Sequence, residues 1–196
     1  ELLIPFFLAF EGRRPQAREL VVLAVMCALA VAGRVAIPIP SFKAIFGIIM
    51  IAGIAFGPES GFLVGAISAL ASNFFYSQGP YTPWQMMAYG AGGMLAGFVF
   101  AEGRLPRKPV VMGIFGFLAV AFFVGPLLDT CSVFLVMSRI SIKGAMAFYI
   151  SGFPVNLRQA VATAIVLLVL GKPLLEKLDR IKTKYGILDD EGRKEA

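Results

Sequence analysis

The residue types able to do chemistry in this chain are few, and they gather in two places. One is the stretch Asn73-Phe74-Phe75-Tyr76-Ser77-Gln78-Gly79-Pro80-Tyr81-Thr82-Pro83-Trp84-Gln85, which holds the only tryptophan and alternates rings with Asn73, Gln78, Thr82 and Gln85. Apolar surface with a few fixed amides and hydroxyls is how small-molecule pockets are lined, and the two prolines lower the ordering cost of binding. Aromatic rings in such a place also serve as interfacial anchors in a membrane protein. The other is Asp129 together with Asn156, Arg158 and Gln159, polar groups within apolar runs. Charges so placed are functional candidates by default, and Arg158 is expected to pair with Asp129 or meet a ligand, with snorkelling to the membrane interface as the alternative.

This is chemistry of recognition rather than reaction. With no histidine, and with Cys27 and Cys131 both in apolar stretches, the usual metal sites, His-assisted nucleophiles and a disulfide framework drop out. No G-x-x-x-x-G-K-[ST] occurs, Gly171-Lys172-Pro173 being only a fragment of it, so ATP binding through a P-loop is excluded. An ion-coupled carrier needs titratable groups at mid-membrane, whereas Glu59 and Glu102 fall in expected turns and Asp129 at an expected helix end. The reading is a binder that something else must drive, with no enzymatic activity and no catalytic cofactor or metal.

The elements that must position these residues follow from composition. Of 196 residues 58% are hydrophobic and 15% charged, with mean hydropathy +0.81, against about 25% charged in soluble domains. The fold class is an all-α membrane protein, a six-transmembrane-helix bundle, with helices at about 19–37, 44–57, 60–76, 84–101, 109–130 and 154–172 set by the ~20 residues a span needs. Residues 60–101 carry no charge at all, too long for one span, and the Pro80/Pro83 cluster splits them. Thirteen of the eighteen basic residues fall before the first helix, between the fourth and fifth, or after the last. Both termini are therefore read as cytoplasmic. The net charge of +6 is explained by topology and anionic lipid without a nucleic-acid partner. Residues 1–17 form a cytoplasmic lead-in, 18–175 the membrane domain and 176–196 a charged cytoplasmic tail. The apolar run Leu2 to Phe10 reads either as the end of an upstream helix or as an interfacial segment.

Small residues recur at four-residue spacing: Ala24, Ala28 and Ala32 on one face of the first helix, then Gly53, Gly57, Gly61 and Gly65, and Gly93 with Gly97. In lipid such faces let helix backbones approach closely. The glycines are assigned to packing within the bundle and the alanines to docking on a second membrane protein.

Taken together, the A-x-x-x-A face from Ala24 to Ala28, the loop and helix start Gln78-Gly79-Pro80-Tyr81-Thr82-Pro83-Trp84-Gln85-Met86, and the last helix from Gly152-Phe153-Pro154-Val155-Asn156-Leu157 to Leu170-Gly171-Lys172-Pro173-Leu174 resemble the substrate-binding S component of energy-coupling factor (ECF) transporters. The resemblance covers roughly Arg18 to Tyr185. It implies a vitamin-uptake subunit in a prokaryotic plasma membrane that captures its ligand at the outer face and works with a transmembrane coupling subunit and two cytoplasmic ATPases. It also implies that Ala24, Ala28 and Ala32 meet the coupling subunit, and that ligand lies among Phe42, Lys43, Asn73, Tyr76, Gln78, Tyr81, Trp84, Gln85, Asn156 and Arg158. The two motifs are most similar to cobalamin-type members, so cobalamin is the favoured cargo. Riboflavin, whose ring would stack on Tyr81 or Trp84, is the alternative. Outside this class the competitors are an ion-coupled secondary carrier and a membrane assembly protein.

Overall fold

The computed structural model describes residues 17–36, 39–101, 103–137, 139 and 141–186, and the apolar run from Leu2 to Phe10 lies outside them. Six helices make up the described chain: α1 (Ala17–Val35), α2 (Ile45–Phe56), α3 (Pro58–Tyr76), α4 (Thr82–Phe100), α5 (Pro109–Val136) and α6 (Ile142–Tyr185). No strand occurs among the described residues. By length and composition α5 and α6 are able to cross a bilayer, and α2 is a shorter apolar helix. α1, α3 and α4 have 19 residues each, roughly 28 Å at 1.5 Å per residue, close to a hydrocarbon core of about 30 Å.

The middle of the bundle is α2, whose twelve residues are all buried. It can be so enclosed because its neighbours come close. A side-chain carbon at Gly53 or at Gly61 would run into the Gly93 carbonyl oxygen, and one at Gly65 would lie 2.5 Å from that of Tyr89. The glycine repeats thus pack α2, α3 and α4 on one another, as small residues do where lipid supplies no hydrophobic drive. Gly57 has a different task. At φ +94° it makes the whole connection between α2 and α3, with Pro58 opening the next helix.

α1 buries Leu23, Met26, Cys27 and Ala30, whereas Ala24, Ala28 and Ala32 are exposed beside Leu20, Val21, Val25 and Leu29. The small-residue face of α1 is accordingly outside the bundle.

The first four helices fall within a few residues of their expected positions. The last two do not. α5 runs to Val136 rather than 130, interrupted by a π turn at Val120–Val124 in which the Gly125 N–H reaches back to the Val120 carbonyl. α6 spans 44 residues, starting twelve before Pro154 and continuing twelve past Pro173. Both prolines lie on exposed surface, where the carbonyls they leave without partners are not enclosed by protein. Ser141 Oγ accepts from the Gly144 N–H at the start. At the far end Leu175 and Leu178 are buried, and Lys182 Nζ donates to the Ala55 carbonyl at 2.7 Å. Tertiary contact therefore carries the helix through residues that read as its stops, and through the first ten residues of the expected tail.

Candidate functional site

The bundle is closed unevenly. α4 packs along α3 and α2, while α5 and α6 pair with each other, α6 packing on α2 and α5 touching α4 over a shorter length. Near the α1–α2 and α3–α4 loops the gap leaves a half-open cavity of about 420 Å³, within the ~300–1,000 Å³ typical of small-molecule sites.

One wall is built from α1 and α4. Tyr81, Gln85 and Tyr89 face it at four-residue spacing, the repeat that keeps side chains on one side of a helix. Beside them Arg34, on the last turn of α1, donates through one guanidinium nitrogen to Ser72 Oγ at 2.5 Å and Asn73 Oδ1 at 2.9 Å. Its charge lies 4.9 Å from the Tyr76 ring centroid and 5.7 Å from that of Tyr89, close enough for cation–π attraction on both. Tyr76 in turn donates its hydroxyl to the Arg34 carbonyl at 3.0 Å.

Buried Asn73 is the hub behind this wall. Its Nδ2 donates to Gln85 Oε1 at 2.8 Å and Thr82 Oγ1 at 3.1 Å, and Thr82 donates to Gln78 Oε1 at 3.0 Å. The network fixes Arg34 and Gln85 before any ligand arrives, which lowers the cost of binding. The turn that allows it is strained: Ser77 sits at φ +81°, rare for a residue with a side chain. Tyr81, whose hydroxyl donates to the Ser77 carbonyl at 2.6 Å, and Gln78, which donates to the Leu70 carbonyl at 3.1 Å, hold it there.

The opposite wall comes from α5 and α6. Leu128, Asp129, Ser132 and Leu135 face the cavity from α5, with Asn156 and Gln159 from α6. Asn156 Nδ2 donates to Asp129 Oδ2 at 2.6 Å, while Oδ1 packs against Gly152 of α6. Side-chain atoms of these two helices fit closely. A carbon at Gly125 would meet the Asn156 side chain, and one at Gly152 the Asp129 carboxylate.

Of the residues expected from sequence, Tyr81, Gln85 and Asn156 line the cavity; Asn73, Tyr76 and Gln78 support it from behind. Phe42 and Lys43 lie half-buried in the α1–α2 connection outside the lining, with Lys43 Nζ 5.9 Å from the Tyr76 ring centroid. Two expectations fail. Arg158 does not pair with Asp129; it is exposed, with Nε 3.3 Å from the Pro154 carbonyl of its own helix, because Asn156 and not Arg158 falls on the buried side of α6. Trp84 lies outside the cavity lining and donates to the Leu127 carbonyl. Sequence reasoning passed over Arg34, Tyr89 and Ser132, and left Asp129 and Gln159 out of the ligand set. An arginine in the last turn of an apolar helix and the 81, 85, 89 spacing were the available signals.

Another hollow of about 440 Å³, at the opposite end, is lined by Arg18, Val21, Val22, Ile181 and Tyr185. It brings together no comparable set of donors and acceptors.

Apolar helix exteriors around one polar, partly preorganised cavity define a membrane-embedded small-molecule binder. Residues 15–176 match the family described as ECF-type riboflavin transporter, S component, and the chain belongs to that family. Its members are vitamin-binding subunits rather than enzymes, integral to the prokaryotic plasma membrane, and function with a transmembrane ECF subunit and ATPases. The family named is the riboflavin one, which lends no support to the cobalamin-type specificity suggested by the motifs. Comparison with curated proteins gave no match, and comparison with solved structures gave none.

Proposed function

We propose that this chain is the riboflavin-binding S component of an ATP-driven importer and that the cavity between α1, α4, α5 and α6 is its vitamin site. The observation that carries the reading is the composition of that cavity in a chain of this family: two tyrosine rings, one guanidinium, one carboxylate and three amides around about 420 Å³. The tyrosines offer flat surface for a planar heterocycle. Arg34, Gln85, Asn156 and Gln159 supply donors for ring carbonyls, and Asp129 accepts from hydroxyl or ring N–H groups. One cation and one anion in the walls favour a ligand without net charge, as riboflavin is. A corrin is several-fold bulkier than a flavin, and its placement would need the α5 wall to move far from α4. Cobalamin therefore becomes the second reading, resting on the motifs alone.

In this reading six helices span the membrane, both termini are cytoplasmic and the cavity opens outward. The exposed Ala24, Ala28 and Ala32 face of α1 receives the coupling subunit. Mass spectrometry of the small molecule that copurifies is the direct test. Riboflavin, visible as yellow protein, supports the proposal; a pink corrin replaces it with the second reading, and uphill uptake by vesicles without any ATPase partner would return the chain to a secondary carrier. For the interface, Ala28→Trp is expected to abolish uptake in the assembled transporter while leaving vitamin binding unchanged. Loss of both would show that this face serves the fold.

A further inference from the structure

Trp84 is the one large ring of the α4 start that does not line the cavity, yet it is tied to the cavity's far wall. Its Nε1 donates to the Leu127 carbonyl at 2.6 Å, and its ring lies 5.8 Å from that of Phe134 at a 43° tilt. Leu127 and Phe134 bracket the stretch of α5 that carries Leu128, Asp129 and Ser132 into the cavity. We propose that Trp84 is a positioning residue for ligand retention: it holds the distal half of α5 against α4 and so sets the width of the cavity.

The distal half of α5 needs such a hold. It follows a π turn at Val120–Val124, and Pro126 removes a backbone donor at its base. Below the cavity α4 and α5 meet where Gly92 packs on Val124, so the wall can pivot there. Among the described residues, the other side-chain hydrogen bonds from this half to a neighbouring helix, Asn156 to Asp129 at 2.6 Å and Thr130 to the Tyr149 hydroxyl at 2.7 Å, run to α6. They would travel with α5 rather than restrain it. At the same level Pro154 removes a backbone donor within the continuous α6, and Gly152 packs against Asp129. The indole N–H and the Phe134 contact thus tie this half to α4.

The ligand part of this inference rests on the vitamin-site reading; the structural part does not, and the test separates them. Cys131 is buried in the α5 wall, and the chain's other thiol, Cys27, is buried elsewhere against the Val64 carbonyl. In full-length Cys27→Ala protein in lipid nanodiscs, the rate of Cys131 labelling by N-ethylmaleimide without vitamin reports how often the wall stands open. Trp84→Phe keeps a ring against Phe134 but removes the donor. Labelling is expected to rise about fivefold, the factor for one neutral hydrogen bond, and riboflavin to dissociate faster by a similar factor. Phe134→Ala, on an exposed side chain, should raise labelling as well and serves if Trp84→Phe does not fold. Unchanged labelling in both variants overturns the proposal. So does unchanged labelling with weakened riboflavin binding, which would make Trp84 a direct contact, or a fall in melting temperature without faster labelling of the folded protein. Faster labelling in a protein whose wild type binds no riboflavin would uphold the positioning role and remove the vitamin reading alone.

Discussion

The two halves of this bundle are held by different means. α2, α3 and α4 meet through backbone: glycines at 53, 61, 65 and 93 bring carbonyls against α-carbons, and nothing in that core has room to shift. α5 and α6 meet through side chains, with Leu167 and Thr163 against Gly116, Leu168 against Gly113 and Asn156 against Gly125. They then diverge from α4 where the cavity lies. Close-packed backbone has few alternative arrangements, whereas a wall joined by single hydrogen bonds opens locally at low cost. The difference teaches that the proposed vitamin site is a junction between a wall tied into the backbone-packed half, bearing Arg34, Gln85 and Tyr89, and a wall held by side chains, bearing Asp129.

That contrast can be broken by substitutions of graded effect. The largest is expected in the backbone-packed half. Gly93→Val would drive a branched side chain into the Gly61 carbonyl and Ile49, and overpacking of this kind costs about 1–3 kcal/mol or more. Loss of monodisperse protein, or a lowered melting temperature in detergent, would show it; a stable Gly93→Val protein would mean the two halves are equally adaptable. Next comes the wall bearing Arg34. Arg34→Ala removes charge-assisted bonds to Ser72 and Asn73 and frees Gln85's partner. Riboflavin affinity, read by titration, should fall by about 1.5–3 kcal/mol with the fold retained, and an unchanged affinity would place the vitamin elsewhere. The smallest effect belongs to Arg158→Ala. Its side chain is exposed and bonds within its own helix, so stability and affinity should both change by less than about 0.5 kcal/mol. A clear loss of binding would bring Arg158 back into the site.

The same contrast explains what was legible beforehand. Four helices, their connections and the glycine contacts could be read directly because the signals are local: charge-free runs, the Pro80/Pro83 turn, and four-residue spacing. The site was half legible. Tyr81, Gln85 and Asn156 reach the cavity as their helical positions allowed, and Asn73 and Tyr76 support it. Trp84 and Arg158 belong to the same motifs yet lie outside the lining, since neighbouring residues on a helix are turned by about 100° and a motif does not state which of them looks inward. Arg34 and Ser72 are 38 residues apart, and no spacing rule links them.

What the amino-acid sequence determined by itself is the apolar helical class and the packing role of most of the glycines, because each depends on composition or on near neighbours along one helix. Only the tertiary structure decided that α6 continues through Pro154 and Pro173, that Asn156 and not Arg158 meets Asp129, and that Trp84 grips α5 instead of lining the cavity. Those outcomes depend on which helix faces lie together, and in a bundle rich in apolar residues on every side the pattern of hydrophobicity does not choose among faces.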